Sequence, residues 1–259
     1  MRARGARVLF LNEHLARLRE GAATLGLPLP PDADLRAAIA LTLADNRLAD
    51  AVVRLTVTRG RDPGRGLDPP TDPRATVVVR AMPFAPPAPR IYHTGVAAVV
   101  SAIRRNESSP LSRLKSCNYG DNVLARRAAR DQGAAEALLL NTASDVACAT
   151  TGNVFAVITG RLHTPPGRSG VLPGVTRRAV LDVAAQVGLP AVVEPFTLEA
   201  LRGAGEVFLT NTAVDVCAVA GALVALPPHQ AGARSRGAGH GDVCSHSVGC
   251  GHDQRRYRP

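Results

Sequence analysis

The chain has 259 residues, 46% of them hydrophobic and 20% charged, enough to bury the core of one large domain or two modest ones. No window carries the uncharged apolar run of a membrane helix, Met1-Arg2-Ala3-Arg4 is not followed by a signal-peptide core, and five cysteines make no disulfide framework, so a soluble, cytoplasmic protein with no membrane partner is expected. The net charge of +10 comes from arginines spread along the whole chain, and aromatic residues at 3% leave few rings for bases to stack on, so nucleic acid is not an expected partner.

From the amino end, Leu15, Leu18, Ala22 and Leu25 fall at helical spacing and predict a helix over 12–25, with Asn12 as N-cap and Pro28 and Pro30 ending it. A second helix fits 34–48. Val53, Leu55 and Val57 alternate with Arg54, Thr56 and Thr58, and 76–81 is rich in valine, so two strands flank the loop RGRDPGRGLDPPTDP. The run PFAPPAP is stiff, extended and unable to donate to a ladder, which suits a linker over 83–92. A strand is expected over 94–103, then a helix over 121–132 capped by Asp121 and stopped by Gly133. Strands follow over 137–140, 153–159 and 161–164, the last two forming a hairpin across Gly160. A helix over 176–187 ends at Gly188 and Pro190, and strands over 207–210 and 216–226 complete the folded part. The segment 227–259 has almost no large apolar residues and is expected to be a disordered tail. Its His240, Cys244, His246, Cys250 and His252 match no standard zinc-finger spacing, so no metal site is expected there.

Lys115, in LKSCNYGDNV, is the only lysine among 31 basic residues. Arginine replaces lysine wherever a solvated cation suffices, but a guanidinium stays protonated and cannot act as a neutral amine towards a carbonyl. Lys115 is therefore either a chance surface survivor or an amine that does chemistry. Three other segments bear on the choice. Leu172-Pro173-Gly174-Val175-Thr176 opens a helix, so the amides of Val175 and Thr176 and the threonine hydroxyl would face an anion. Phe208 to Thr212 ends a strand in hydroxyl and amide donors. EHLARL puts Arg17 one turn into the first helix, where it would clamp a phosphate. Each has an ordinary structural explanation alone; with a unique lysine they suggest a phosphorylated carbonyl cofactor, of which pyridoxal 5'-phosphate is the usual one.

The order of the segments LKSCNYGDNVLARRAARDQGAAEALLLNT, VACATTGNVF, GVLPGVTRRAVLD and EVFLTNT resembles the class IV pyridoxal-phosphate enzymes, which include D-amino acid and branched-chain aminotransferases and aminodeoxychorismate lyase. The resemblance implies an α/β protein of fold type IV: a small N-terminal α/β domain over 1–82 and a larger C-terminal α/β pseudo-barrel over 93–226. It further implies the cofactor in the cleft between them and a homodimer as working unit. Carried over residue by residue, Lys115 matches the lysine that forms the internal aldimine and shuttles the substrate's α-proton, and Tyr119 the tyrosine that hydrogen-bonds the cofactor's phenolic oxygen. Arg17, Val175, Thr176 and Thr212 fall where the family holds the phosphate. Arg65 resembles the arginine that catches a substrate carboxylate, with Gly64 the other candidate for that position.

Two departures accompany the resemblance. Family members carry further strands ahead of the counterpart of MRARGARVLFLNEHLARL, so a truncated small domain is expected. Cys148 stands in place of the glutamate that pairs with the pyridine nitrogen, and a neutral thiol holds that nitrogen protonated less well than a carboxylate. The expected activity is transfer of an amino group between an amino acid and a 2-oxo acid. The alternatives are aminodeoxychorismate lyase, which Tyr119 disfavours, and a catalytically impaired remnant of the family.

Overall fold

In the computed structural model, which describes residues 1–61, 68 and 72–225, the strands are divided between two sheets. The first is antiparallel and takes its strands from the amino-terminal part: β1 (Arg2–Arg4), β2 (Arg7–Val8), β3 (Ala51–Thr58) and β4 (Thr76–Pro83), in the order β2-β1-β3-β4. Ala51 and Val53 of β3 are buried and Arg54 is exposed, as the alternation of that segment requires. Its inner face packs on Ile39 and Leu43 of α2 (Asp32–Asp45), which follows α1 (Leu11–Leu25).

The expected Asn12 cap is not used. Phe10, in the left-handed region at φ 53°, precedes α1 and makes no side-chain cap, while Asn12 Oδ1 accepts from Arg36 Nη2 of α2 at 2.7 Å. The segment foreseen as extended through 92 instead folds from Arg90 into α3 (Arg90–Thr94), because a proline just ahead of a helix, here Pro89, costs no intrahelical hydrogen bond. Pro83 ends β4 opposite Ala51.

The second sheet holds β5 (Val96–Val100), β6 (Glu136–Leu140), β7 (Val146–Ala149), β8 (Asn153–Ile158), β9 (Arg161–His163), β10 (Ala191–Val192), β11 (Glu206–Asn211) and β12 (Asp215–Ala225), ordered β10-β9-β8-β11-β12-β5-β6-β7. Its far end returns to β8 through the pair Cys148↔Asn153. Strands β8, β11, β12, β5, β6 and β7 therefore close a barrel, with β9 and β10 as a flap continuing from β8. Val100, Leu138, Leu140, Val146, Val154 and Leu209 are among the residues of its core. The hairpin across Gly160 is present: Thr159 at φ 48° and Gly160 at φ 74° form the two-residue turn whose twist suits right-handed strands.

Three further α-helices lie among the described residues, α4 (Gly120–Asp131), α5 (Val175–Gln186) and α6 (Leu198–Arg202), with 3-10 turns at Pro110–Arg113 and Gly167–Ser169. Asp121 lies inside the first turn of α4 rather than at its cap, which is Tyr119; Gly133, at φ 72°, ends the helix as foreseen. No helix among the described residues is long and apolar enough to cross a membrane.

Candidate active site

The approach to Lys115 is fixed by one guanidinium. Arg105 donates from Nε to the Gly170 carbonyl at 3.1 Å, from Nη1 to Asn122 Oδ1 at 3.4 Å and from Nη2 to the Ser112 carbonyl at 2.5 Å. It thereby ties the 3-10 turn Pro110–Arg113, the first turn of α4 and the loop ahead of α5 to one another. Lys115 emerges from this frame exposed to solvent, and its Nζ donates to Tyr119 Oη and lies 4.4 Å from the centroid of that ring. A phenol oxygen that accepts from an ammonium keeps its own O–H free to donate elsewhere.

Arg17 is reached from α1. Leu15 anchors that helix in the protein interior, and the i, i+3 spacing sets Arg17 beside His14. Arg17 Nη1 donates to the Pro173 carbonyl at 3.1 Å, joining α1 to the start of α5, and Nη2 lies 3.5 Å from His14 Nδ1. Burial lowers the Arg17 pKa while the Tyr119 phenol and then Glu20 oppose the shift, so the phenol lies within electrostatic reach of the guanidinium. The Met1 amine, which donates to the Val53 carbonyl at 2.7 Å, belongs to the same neighbourhood: burial first, then the Arg17 and Lys115 cations, push its pKa down to about 6.

His14 is only 8% exposed, and its Nε2 has no protein partner. Because Nδ1 faces a group that can only donate, the ring hydrogen is assigned to Nε2. Burial, then the Met1 and Arg17 cations, push the His14 pKa down to about 4 from 6.5. Between those values the unfolded chain binds a proton that the folded chain refuses, so the His14 contribution to stability rises as pH increases from 4 to 6.5 and is level above, while the depressed Met1 amine adds its own rise between about 6 and 8. Denaturant titration at pH 5 and pH 7 is expected to show a loss of about 1–2 kcal/mol at the lower pH, allowing for screening at the open side of the ring. His14→Gln should reduce that difference to the part that the Met1 amine supplies; an unchanged pH dependence would show that His14 carries none of it.

The start of α5 presents unpaired amides. The Arg178 amide bonds the Gly174 carbonyl at 3.0 Å as the first link of the helical ladder, so the N–H groups of Val175, Thr176 and Arg177 have no acceptor within the helix. They stand at the positive end of a 12-residue helix. Just before them the Leu172 carbonyl accepts from Asn153 Nδ2 at 2.9 Å, and a Cβ placed on Gly174 would sit 2.0 Å from Asn153 Oδ1. Arg177 turns away, donating to Thr164 Oγ1 at 3.3 Å and the Pro165 carbonyl at 2.9 Å.

Thr212 is half-buried in the turn from β11 to β12. Asn211 Oδ1 shapes that turn by accepting from the Ala213 and Val214 amides at 2.8 and 2.9 Å. Arg2 holds its far side, donating to Asp215 Oδ2 at 2.7 Å while its guanidinium carbon lies 4.1 Å from the centroid of the Phe84 ring. Cys148 is buried in β7, paired with Leu139 on one side and Asn153 on the other. Burial pushes its thiol up to about 11, with Arg105 opposing and Glu136 reinforcing, so the group is neutral. Arg65 and Gly64 lie outside the described residues, as does the tail over 227–259. Among the described residues no cluster of three or more His, Cys, Asp or Glu is placed to hold a metal ion.

Lys115 and Tyr119 thus stand together, Arg17 meets the segment that opens α5 with Val175 and Thr176, and Cys148 reaches that segment through Asn153. Several contributors were not singled out from the sequence. Asn153 sat within GNVF without a role. Arg105, Arg126 and Glu136 carried no periodic signal, although a glutamate heading the otherwise apolar strand EALLL is itself a sign of a buried acid with partners.

The described residues pair a primary amine with a phenol and bring a guanidinium from α1 to a helix start with open amides, groups chemically able to serve an anionic, carbonyl-bearing ligand. The family can be named: the model for amino-transferase class IV matches residues 1–221, and the chain belongs to that family. A provisionally assigned branched-chain-amino-acid aminotransferase of Methanocaldococcus jannaschii is 36% identical over 221 residues, which is 85% of this chain and 75% of that protein. The D-alanine aminotransferase of Listeria innocua is 32% identical over 207 residues, 79% of this chain and 70% of that one. Among solved structures, the 4-amino-4-deoxychorismate lyase of Pseudomonas aeruginosa superposes with a TM-score of 0.77 at 31% identity, covering 84% of this chain and 79% of the lyase. A T.th. branched-chain amino acid aminotransferase solved with pyridoxamine 5'-phosphate gives 0.75 at 29%, covering 81% and 69%.

Proposed function

We propose that this chain is a pyridoxal 5'-phosphate-dependent aminotransferase that moves an amino group between an amino acid and a 2-oxo acid. The observation that carries the reading is the Lys115–Tyr119 pair on one segment together with Arg17, whose guanidinium bonds the segment opening α5. The residues present fit the cofactor's phosphate. Val175 and Thr176 offer amides without an acceptor in the helix, and Gly174 leaves no side chain over them. The buried Thr210 Oγ1 also has no protein partner. When bound, the cofactor supplies an aldehyde and an electron sink for the amino acid's α-carbon. Lys115 would hold it covalently through Nζ and then carry the proton to and from that carbon. Tyr119 would donate its free O–H to the ring oxygen, and Arg17, Val175, Thr176 and Thr212 would hold the phosphate. Arg65 would receive a substrate carboxylate, and a homodimer would be the working unit. Residues 1–82 would close the cleft against 93–226.

Incubation with pyridoxal 5'-phosphate, borohydride reduction and peptide mapping test the reading. The label is expected on Lys115, and a label confined to the amino terminus would refute it. A second reading, aminodeoxychorismate lyase, is favoured by the likeness to the Pseudomonas lyase. Pyruvate release from aminodeoxychorismate without a 2-oxo acid acceptor would select it.

Cys148 would face the pyridine nitrogen as a neutral group. Cys148→Glu places a carboxylate there, within reach of the Arg105 cation that already favours an anion at this position. One pKa unit on the nitrogen corresponds to about 1.4 kcal/mol, so the half-reaction with amino acid should quicken by about tenfold, followed by cofactor absorbance. Cys148→Ser should leave it nearly unchanged. Expulsion of the cofactor by glutamate would show a pocket built around a neutral partner.

A further inference from the structure

Asn153 occupies the seam where the barrel closes. It is the first residue of β8, only 5% exposed, and its backbone is paired at once with Cys148 of β7 and Thr210 of β11. A side chain rooted at the meeting of three strands has little freedom to move. Its two amide atoms meet the three residues ahead of α5 in different ways. Nδ2 donates to the Leu172 carbonyl at 2.9 Å, and Oδ1 fills the place that a Cβ on Gly174 would take, at 2.0 Å. The neighbouring Pro173 carbonyl is held from the other side by Arg17 Nη1 at 3.1 Å. Two successive carbonyls are therefore captured by side chains from separate elements, which fixes the peptide planes from which the open amides of Val175 and Thr176 follow.

Thr210 supplies an independent pointer to a ligand at this place. It lies directly across the ladder from Asn153, so both side chains stand on the same face of the sheet, and the Asn153 side chain reaches the start of α5. Thr210 is 1% exposed and its Oγ1 has no protein partner, a state that a buried hydroxyl adopts at a cost unless something else accepts or donates there.

We infer that Asn153 and Gly174 form an interlocked positioning pair that presets the amides of Val175 and Thr176 for the phosphate, the amide side chain setting the loop and the glycine leaving it room. This rests on the phosphate reading proposed above. Asn153 acts through the loop and touches no reacting atom.

The test is the affinity of the apo chain, residues 1–259, for pyridoxal 5'-phosphate against pyridoxal, which lacks the phosphate, both followed by absorbance. Wild type should prefer the phosphorylated form by at least about a hundredfold, the scale set by charge-assisted bonds to an anion. Asn153→Ala and Gly174→Ala should each weaken pyridoxal 5'-phosphate by about tenfold or more and leave pyridoxal within about twofold. The double variant should bind better than Gly174→Ala alone, because the space vacated by the amide accepts the new Cβ. Asn153→Asp keeps the shape but cannot donate to Leu172 and sets an anion beside the phosphate, so it should lose the preference even if Asn153→Ala folds poorly. Additive losses in the double variant, equal losses for both ligands, or unchanged affinity in Asn153→Asp would each overturn the pairing while the phosphate reading stands. Wild type failing to prefer the phosphorylated form would bring down both.

Discussion

Lys115→Arg is expected to lower amino transfer by about a thousandfold or more while leaving the fold intact. The substitution keeps a positive charge and nearly the same reach, so a residue needed only as a cation would tolerate it. It removes the one side-chain primary amine that the chain can offer to a carbonyl, because no other lysine exists and a guanidinium stays protonated at any working pH. Lys115 is exposed, and its contacts are with Tyr119 alone among described groups, so the melting temperature should move by no more than about 1–2 °C. Single-turnover measurement of cofactor absorbance on mixing with amino acid reads the first effect, and a thermal melt the second. Activity above about a tenth of wild type would remove Lys115 from the chemistry.

What the sequence discloses about this site follows from how locally each feature is determined. The helix over α5 and the glycine ahead of it are visible because proline, glycine and threonine at a helix start have fixed backbone consequences. The β8–β9 hairpin is visible for the same reason, through Gly160. The strand β7 was not foreseen: all four residues of Val146–Ala149 are buried, so no alternation betrays it, and the run is too short and too small to stand out. The two short strands at the amino end were missed as well, since three and two residues carry no period. Closure of the barrel depends on the single pair Cys148↔Asn153, and a contact of that kind is a tertiary fact with no local signature.

Site residues divide in the same way. Lys115 and Tyr119 lie four apart on one segment, and their pairing is a property of that segment. The capture of Leu172 by Asn153 spans 19 residues, and the reach of Arg17 to Pro173 spans 156. Arg17 was expected to serve a phosphate directly, and what the structure shows is its bond to a protein carbonyl. That bond depends on where the loop before α5 lies, which no pattern within EHLARL encodes.

Arg126→Met is expected to cost about 3 kcal/mol, the largest stability loss foreseen for a side chain outside the apolar core. Glu136 enters β6 with its side chain 8% exposed, and Arg126 Nη1 meets its Oε2 at 2.7 Å from α4. The other carboxylate oxygen accepts from the Ala137 amide at 2.9 Å, from the Thr150 amide at 3.2 Å and from the Thr150 hydroxyl. Asn122 Nδ2 adds a bond to the Thr150 carbonyl at 2.7 Å. The carboxylate is thus the hub that fastens α4 to the turn joining β7 and β8, the turn flanked by Cys148 and Asn153. Removing the arginine leaves a buried charge with its neutral donors but without its counterion, which costs about 3–5 kcal/mol when no water can enter. Arg126 is a third exposed, so some hydration replaces it and the lower figure applies. For a folded unit of this size, that loss corresponds to a fall in melting temperature of about 6–12 °C. Glu136→Gln retains the shape and can still accept from Thr150 but gives up the charge, and should cost about 1–2 kcal/mol, since Arg126 can turn to solvent. Combining the two changes should cost less than their sum, because neither charge then remains unpaired. Thermal melts of the three variants decide the matter: a strictly additive double variant, or an Arg126→Met protein as stable as wild type, would mean that water already serves the carboxylate and that the turn is held without the arginine, by Glu136 and Asn122.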